Sequence, residues 1–205
     1  RRSALISLSN LGDDQMAHAK SGQWWDTEPQ RALANNSVAY KGKPEMGTFM
    51  REWVSLYESK SGERGIFNRE AARVQAAKNG RRDIEHSFGC NPCSEIILRP
   101  YQFCNLSEVV ARASDTQQTL REKVRLATIL GTFQSTLTDF KYLRNIWKKN
   151  TEEERLLGVS LTGIMDNDLL SGTSHHLGTN IGSTLEALRD TAVETNAAMA
   201  EQLGI

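Results

Sequence analysis

The sequence predicts an α/β fold, and two observations predict it. Short apolar runs of strand length, Ala4 to Leu8 and Gly158 to Thr162, are separated by segments whose apolar residues recur at helical spacing. Strands divided by helices pair in parallel, because a parallel connection needs a crossover that a helix usually makes. The 205 residues suffice for one domain with a real core, and no repeat, low-complexity tract or proline-rich linker marks a second boundary. Residues 1–205 are therefore expected to make one domain or part of one. The opening Arg1-Arg2-Ser3, without a methionine, reads as an excerpt of a longer chain.

The elements follow in order. Ala4-Leu5-Ile6-Ser7-Leu8 is the first strand. Trp24-Trp25 point apart in any regular element, which favours packing between elements over a stacking platform. Met46, Phe49, Met50, Trp53 and Tyr57 have the one-sided spacing of an amphipathic helix, a stripe most simply read as core. Asn68 is a good N-cap for a second helix through Ala71, Val74 and Ala77, and Gly80 supplies a left-handed stop.

Further along, Leu126, Ile129, Leu130, Phe133, Leu137 and Phe140 mark a long helix with a buried face, and Asp115 is its expected cap. Thr151 with Glu154, and Ser183 with Glu186, match capping boxes and predict two helix starts, with Glu152-Glu153-Glu154 in a first turn. Gly158 to Thr162 between them is a buried strand, and Ser171 to Gly182 is loop-like. The final helix shows Leu185, Leu188, Ala192, Met199 and Leu203 along one face, and Gly204 ends it.

Charge narrows the function. The 25 basic and 25 acidic residues cancel, which argues against a nucleic-acid backbone or an acidic membrane surface as partner. No apolar run approaches the roughly 20 residues that span a bilayer, and no charged-then-apolar leader opens the chain, so a cytoplasmic location is expected. Three cysteines argue against a disulfide scaffold and point to catalytic thiol chemistry. All three, Cys90, Cys93 and Cys104, fall within fifteen residues.

The chemistry gathers in Phe88-Gly89-Cys90-Asn91-Pro92-Cys93-Ser94-Glu95-Ile96, where Asn91, Cys93 and Glu95 alternate. In an extended segment the three share one face, and Pro92 keeps Asn91 out of a helical conformation, favouring an extended loop or turn. Asn91-Pro92-Cys93-Ser94-Glu95-Ile96, followed by Cys104-Asn105-Leu106, resembles the finger loop of ribonucleotide reductases. Arg1-Arg2-Ser3-Ala4, Gly65-Ile66-Phe67-Asn68 and Gly158-Val159-Ser160-Leu161-Thr162-Gly163 are similar to barrel segments of that family, in the same order.

The resemblance implies a part of a ten-stranded α/β barrel, with the catalytic cysteine on an interior finger loop. It implies that Cys93 carries a thiyl radical that removes a hydrogen atom from carbon 3 of the ribose, and that Glu95 takes the proton of the 3-hydroxyl. Asn91 would hold the sugar. Cys104 would be one of two facing cysteines oxidised to a disulfide, its partner lying upstream of Arg1. The eleven-residue step from Cys93 to Cys104, and the stretch from Leu188 to Ile205, resemble the adenosylcobalamin-dependent class, whose members include monomeric triphosphate reductases. That cofactor's cobalt–carbon bond supplies the radical.

A ribonucleoside triphosphate substrate is thereby implied, with thioredoxin or another dithiol reductant acting through C-terminal cysteines outside this chain. Also outside it would be an upstream allosteric nucleotide site and a downstream phosphate-binding loop, so turnover by these residues alone is not expected.

Two readings compete. Cys90-Asn91-Pro92-Cys93 imitates a dithiol-redox or zinc pair, with Cys104 and His18, His86, His175 and His176 as the other candidate ligands; a structural zinc site wants four ligands, usually as two such pairs. A non-functional truncated copy of the reductase is the other. With the family pattern, Cys90 becomes a bystander, and His86 reads as a surface histidine. A partial barrel leaves strand edges unpaired, which predicts poor solubility.

Overall fold

A computed structural model describes residues 5–172 and 180–205. The chain divides into two compact units at Pro100 and Tyr101, a division that composition does not mark. His175 and His176, and most of the loop expected over 171–182, lie outside the described residues.

The first unit runs β1 (Leu5–Ser9), α1 (Asp14–Ala17), α2 (Trp24–Thr27), a 3-10 turn (Pro29–Leu33), β2 (Ala34–Tyr40), α3 (Met46–Glu58), β3 (Gly65–Asn68), α4 (Arg69–Ala77) and the two short strands β4 (Gly89–Cys90) and β5 (Ile97–Leu98). β1, β2 and β3 form a parallel sheet in that order, with Ile6 opposite Asn35 and Ala39 opposite Phe67. Strand alternation gives this sheet two faces. Asn35, Ser37 and Ala39 share one with Ile6, Leu8, Gly65 and Phe67. Asn36, Val38 and Tyr40 share the other.

On the first face, Phe67 packs against a cluster of Ala72, Ala76 and Phe88, as Ile97 also does, which joins the sheet to α4 and to the base of the β4–β5 hairpin. Asn68 caps α4 by accepting from the amides of Glu70 and Ala71, at 2.9 and 3.0 Å, and Gly80 turns the chain at φ +61°. The buried positions of α4 are Ala72 and Ala76, one residue round from the Ala71, Val74 and Ala77 stripe.

The second face meets α3. Tyr40 lies 6.4 Å from the Phe49 ring, and Arg64 clasps Glu52 with both Nη2 contacts, 2.7 and 3.0 Å, in a buried pair. Arg64 also donates to Ser9 Oγ and to the carbonyls of Asn10 and Leu11, so one guanidinium ties the end of β1 to α3. This pair corrects the stripe expected in the core. Glu52 occupies the inward face of α3, and Met46 (69% exposed), Trp53 (52%) and Tyr57 (72%) turn outward. Trp25 is likewise exposed, with its ring edge-on to Trp24 at 6.2 Å rather than packed between elements.

The second unit runs β6 (Asn105–Val110), α5 (Gln117–Gln134), α6 (Asn145–Glu154), β7 (Leu157–Thr162), a 3-10 turn (Ile164–Asp166), α7 (Asp168–Ser171) and α8 (Ile181–Leu203). β6 and β7 pair in parallel from Asn105 opposite Leu157 to Val110 opposite Thr162. The core joins Val109, Ala111, Leu120, Val124, Leu170 and Leu188, with Val159, Leu161 and Ala192 against it. Gly163, at φ +73°, is required by a close approach: a Cβ there would stand 2.3 Å from the Ala111 carbonyl oxygen.

Several expectations shift here. The cap of α5 is Thr116, in a reciprocal box with Thr119, and Asp115 instead accepts from the Arg112 amide, Thr119 Oγ1 and Lys123 Nζ. The buried face of α5 is Leu120, Val124, Thr128, Gly131 and Thr132. Thr128 and Thr132 satisfy their hydroxyls on the carbonyls four residues back, at 2.7 and 2.8 Å, which lets a polar but compact face go inward. Leu126, Leu130, Phe133 and Leu137 are each more than half exposed, and Leu137 and Phe140 lie beyond the helix end.

Thr151 and Glu154 sit buried in the last turn of α6, not at a helix start, and Glu154 accepts from Gln102 Nε2 at 2.6 Å. α8 begins at Ile181, where Asn180 accepts from the Ser183 amide at 2.7 Å, so the cap lies three residues before Ser183. Gly204 ends α8 at φ +69°, as the sequence predicts.

Candidate active site

The chemistry-bearing residues of the first unit converge on the β4–β5 hairpin. Its ladder is only two residue pairs long, Gly89 with Leu98 and Cys90 with Ile97. Between them the chain reverses in a tight turn: the Ser94 amide donates to the Asn91 carbonyl at 2.9 Å, and Ser94 takes φ +68°. The Asn91 amide donates to the Ile96 carbonyl at 3.3 Å, and Asn91 Oδ1 accepts from the Ile96 amide at 3.0 Å. A turn thus replaces an extended run, so strand alternation does not set the relative directions of Asn91, Cys93 and Glu95. Pro92 fits the turn because its φ is preset and it has no amide to satisfy.

Cys93 stands exposed at the tip, and Glu95 is exposed beside it. Asn91 is half-buried, and its Oδ1 is committed to the hairpin while its Nδ2 has no protein partner among the described residues. Cys90 is buried at the base, where its thiol donates to Ser94 Oγ at 3.6 Å. Burial pushes the Cys90 thiol above its ordinary value, against the lowering effects of Ser94 and Arg69. A reactive dithiol wants the opposite, a stabilised thiolate, so this environment disfavours thiolate chemistry at Cys90. Pro92 begins no helix, and among the described residues no group of three histidine, cysteine or acidic side chains is placed to hold a metal.

Two residues that the motif does not reveal hold this hairpin. Arg69, first in α4, donates to the Phe88 carbonyl and reaches Ser87 Oγ. Asn35, in β2, donates through Nδ2 to the Pro92 carbonyl. Their sequence distances, 19 and 57 residues, carry no local signal. His86 lies 2.9 Å from an Arg99 nitrogen and 3.6 Å from Asp83, half-exposed and engaged away from the tip.

Cys104 belongs to the second unit, partly buried just ahead of β6. Asn105 opens that strand: both its amide and its Nδ2 donate to the Leu156 carbonyl, at 2.8 and 3.1 Å, which anchors the backbone after Cys104. No helix among the described residues is long and apolar enough to cross a membrane.

No family model matches the chain, and no solved structure gives a significant match. Curated relatives do. A protein of Lacticaseibacillus paracasei named adenosylcobalamin-dependent ribonucleoside-triphosphate reductase is 33% identical over 174 residues, covering 81% of this chain and 22% of its own length. One of the same name from Lactobacillus acidophilus is 32% identical over 182 residues, covering 82% and 23%. A third, from Lactobacillus gasseri, is 28% identical over 196 residues, covering 91% and 24%. This chain is therefore related in sequence to the adenosylcobalamin-dependent ribonucleoside-triphosphate reductases, along a stretch that spans about 22% of their length.

Proposed function

We propose that these residues carry the radical cysteine of a ribonucleoside-triphosphate reductase, acting within a longer chain to make deoxynucleotides for DNA synthesis. The observation that supports this best is the exposed Cys93 at a hairpin tip, flanked by Asn91 and Glu95. Cys93, as a thiyl radical, takes the hydrogen atom from carbon 3 of the ribose, forming an S–H bond and leaving a carbon radical. Glu95 accepts the proton of the 3-hydroxyl and returns it when that hydroxyl is restored, and the 2-hydroxyl leaves as water on a proton from the cysteine pair. Cys104 and a partner cysteine supply two electrons and two protons by closing a disulfide, one proton leaving in the water and the other hydrogen going to carbon 2, and Cys93 returns its hydrogen to carbon 3. Thioredoxin or another dithiol then reopens that disulfide.

Asn91 orients the sugar. Since its Oδ1 is held by the Ile96 amide, its part in binding is as a donor through Nδ2. The parallel sheets β1–β3 and β6–β7 are parts of a ten-stranded α/β barrel in this reading, with the hairpin inside it.

Two cavities among the described residues, about 500 Å³ beside β6 and α5 and about 180 Å³ beside β1 and β2, are each smaller than a corrinoid and not lined by Cys93, so neither fits adenosylcobalamin as a complete cradle. The cofactor is proposed on the relatives' names and on the Cys93-to-Cys104 spacing and closing stretch that resemble that class, and no contact of this chain is assigned to it.

The test uses the full-length protein with adenosylcobalamin and a dithiol, following deoxynucleotide formation in wild type, Cys93→Ser and Cys90→Ser. Only Cys93→Ser should be inactive. Loss of activity in Cys90→Ser alone would move the radical role off Cys93, and an inactive wild type would remove the cobalamin-dependent reading.

A further inference from the structure

We infer that Asn35 is a positioning residue for the Cys93 hairpin, fixing its tip to the parallel sheet through the Pro92 carbonyl. This rests on the reading of Cys93 proposed above. A two-pair ladder cannot place a tip by itself, because isolated two-stranded hairpins are marginal even when longer. The bonds within the turn, Ser94 to Asn91 and Ile96 to Asn91, define the shape of the tip but not where it sits. Its place is set from outside.

Outside contacts act at two heights. Phe88 is buried in the core cluster and its carbonyl accepts from Arg69, which fixes the base. At the tip, Asn35 Nδ2 donates to the Pro92 carbonyl. That carbonyl belongs to the planar peptide group that also contains the Cys93 nitrogen, so holding it sets the plane from which the Cys93 Cα departs. Asn35 lies on the sheet face shared with Leu8, whose Cδ1 would stand 3.3 Å from a Cβ on Gly89. The hairpin therefore lies along that face, and β2 is the middle strand, bonded on both sides. A donor on a rigid central strand is the kind of support that holds a reacting atom in place.

The expected phenotype is specific. A residue that acts by positioning Cys93 and not by binding substrate should, when lost, lower kcat and leave KM unchanged, since misplacement by about 1 Å can cost on the order of a hundredfold in rate. Asn35→Ala removes the donor, and Asn35→Asp keeps the size and removes it as well. In the full-length enzyme with adenosylcobalamin and a dithiol, each should lower kcat about 10- to 100-fold with KM held within about twofold. Amide hydrogen exchange at Ser94 and Ile96 should speed up about five- to tenfold, the worth of one hydrogen bond, while exchange at Val38 and Val109 stays put.

Unchanged exchange at Ser94 and Ile96 would overturn the tether. Faster exchange with an unchanged kcat would overturn its role in positioning. A variant that also loses protection at Val38 has unfolded, and the other then decides. If wild type makes no deoxynucleotide, the radical reading falls separately, and the tether stands or falls on exchange alone.

Discussion

At the scale of single residues, Cys90 and Cys93 are three positions apart and chemically distinct. Cys93 is exposed, whereas Cys90 is buried with its thiol pushed up by desolvation. Alkylation requires the thiolate and access to it, so a small iodoacetamide at neutral pH should modify Cys93 well before Cys90. Peptide mapping by mass spectrometry checks the order, and equal rates would mean that the hairpin opens faster than it reacts. The motif singled out Asn91, Cys93, Glu95 and Cys104 as candidates, because an Asn-Pro-Cys-Ser-Glu run is specific. It could not make Asn35 or Arg69 legible, since a single hydrogen bond across 57 residues leaves no periodicity or spacing to read. Asp115 shows a similar limit. Its charge read as a helix cap, but its carboxyl is bound by Lys123 Nζ, and that bond first of all holds it below the usual carboxylate range. Its stabilising effect is therefore present above about pH 4, the unfolded carboxylate value, and is lost as pH falls through the lower folded value. Lys123→Met should raise the Asp115 titration midpoint, followed by NMR; an unmoved midpoint would assign the effect to the Arg112 amide and Thr119 instead.

At the scale of elements, the sequence located helices better than it oriented them. The spacing in α3 and α5 marked genuine helices, yet both turn most of that apolar stripe outward, Phe49 and Ile129 staying partly buried. Hydropathy cannot anticipate that a buried Arg64–Glu52 pair will claim one face of α3, or that hydroxyls bonded to their own backbone will let Thr128 and Thr132 face inward on α5. The capping pattern failed for a related reason: Ser or Thr three residues before Glu also occurs at a helix end, as in Thr151 and Glu154. Asn68 and Gly204 were legible because asparagine at an N-cap and glycine just past a helix each solve a backbone problem that few residues solve. Two glycines separate these causes. At Gly163 an added Cβ meets the Ala111 carbonyl at 2.3 Å and the backbone is left-handed, so Gly163→Ala should cost about 2–5 kcal/mol. At Gly131 the obstacle is Leu157 Cδ1, at 2.2 Å, the far end of a flexible side chain, so Gly131→Ala should cost less, about 1–3 kcal/mol. Urea unfolding of both variants gives the order, and a Gly131→Ala loss exceeding that of Gly163→Ala would reverse it.

At the scale of the whole molecule, what was legible was the alternation of strand and helix and the parallel pairing it requires, since β1–β2–β3 and β6–β7 are both parallel. What was not legible was how much apolar surface each unit leaves open. Met46, Met50, Trp53 and Tyr57 lie exposed on α3, and Leu126, Leu130 and Phe133 on α5. Beside α5, Leu126, Ala127 and Leu130 line a cavity with Val109 and Val110 of β6, a strand paired on one side only among the described residues. Exposed stripes of this size mark surfaces meant to be covered, and an open parallel strand presents unpaired amides and carbonyls to any neighbour. Residues 1–205 produced alone should therefore self-associate, with a mean mass in multi-angle light scattering that rises with concentration. Replacing the two stripes by charge tests the cause separately from the strand edges. Met50→Lys, Tyr57→Glu, Leu130→Lys and Phe133→Glu together should reduce association if helix surface drives it, because these side chains leave the buried faces of α3 and α5 untouched. Association unchanged by those substitutions would place it on the β1, β3 and β6 edges. A monodisperse monomer of the unmodified chain, unfolding in one cooperative step, would mean that its open faces need no partner and would count against the barrel reading.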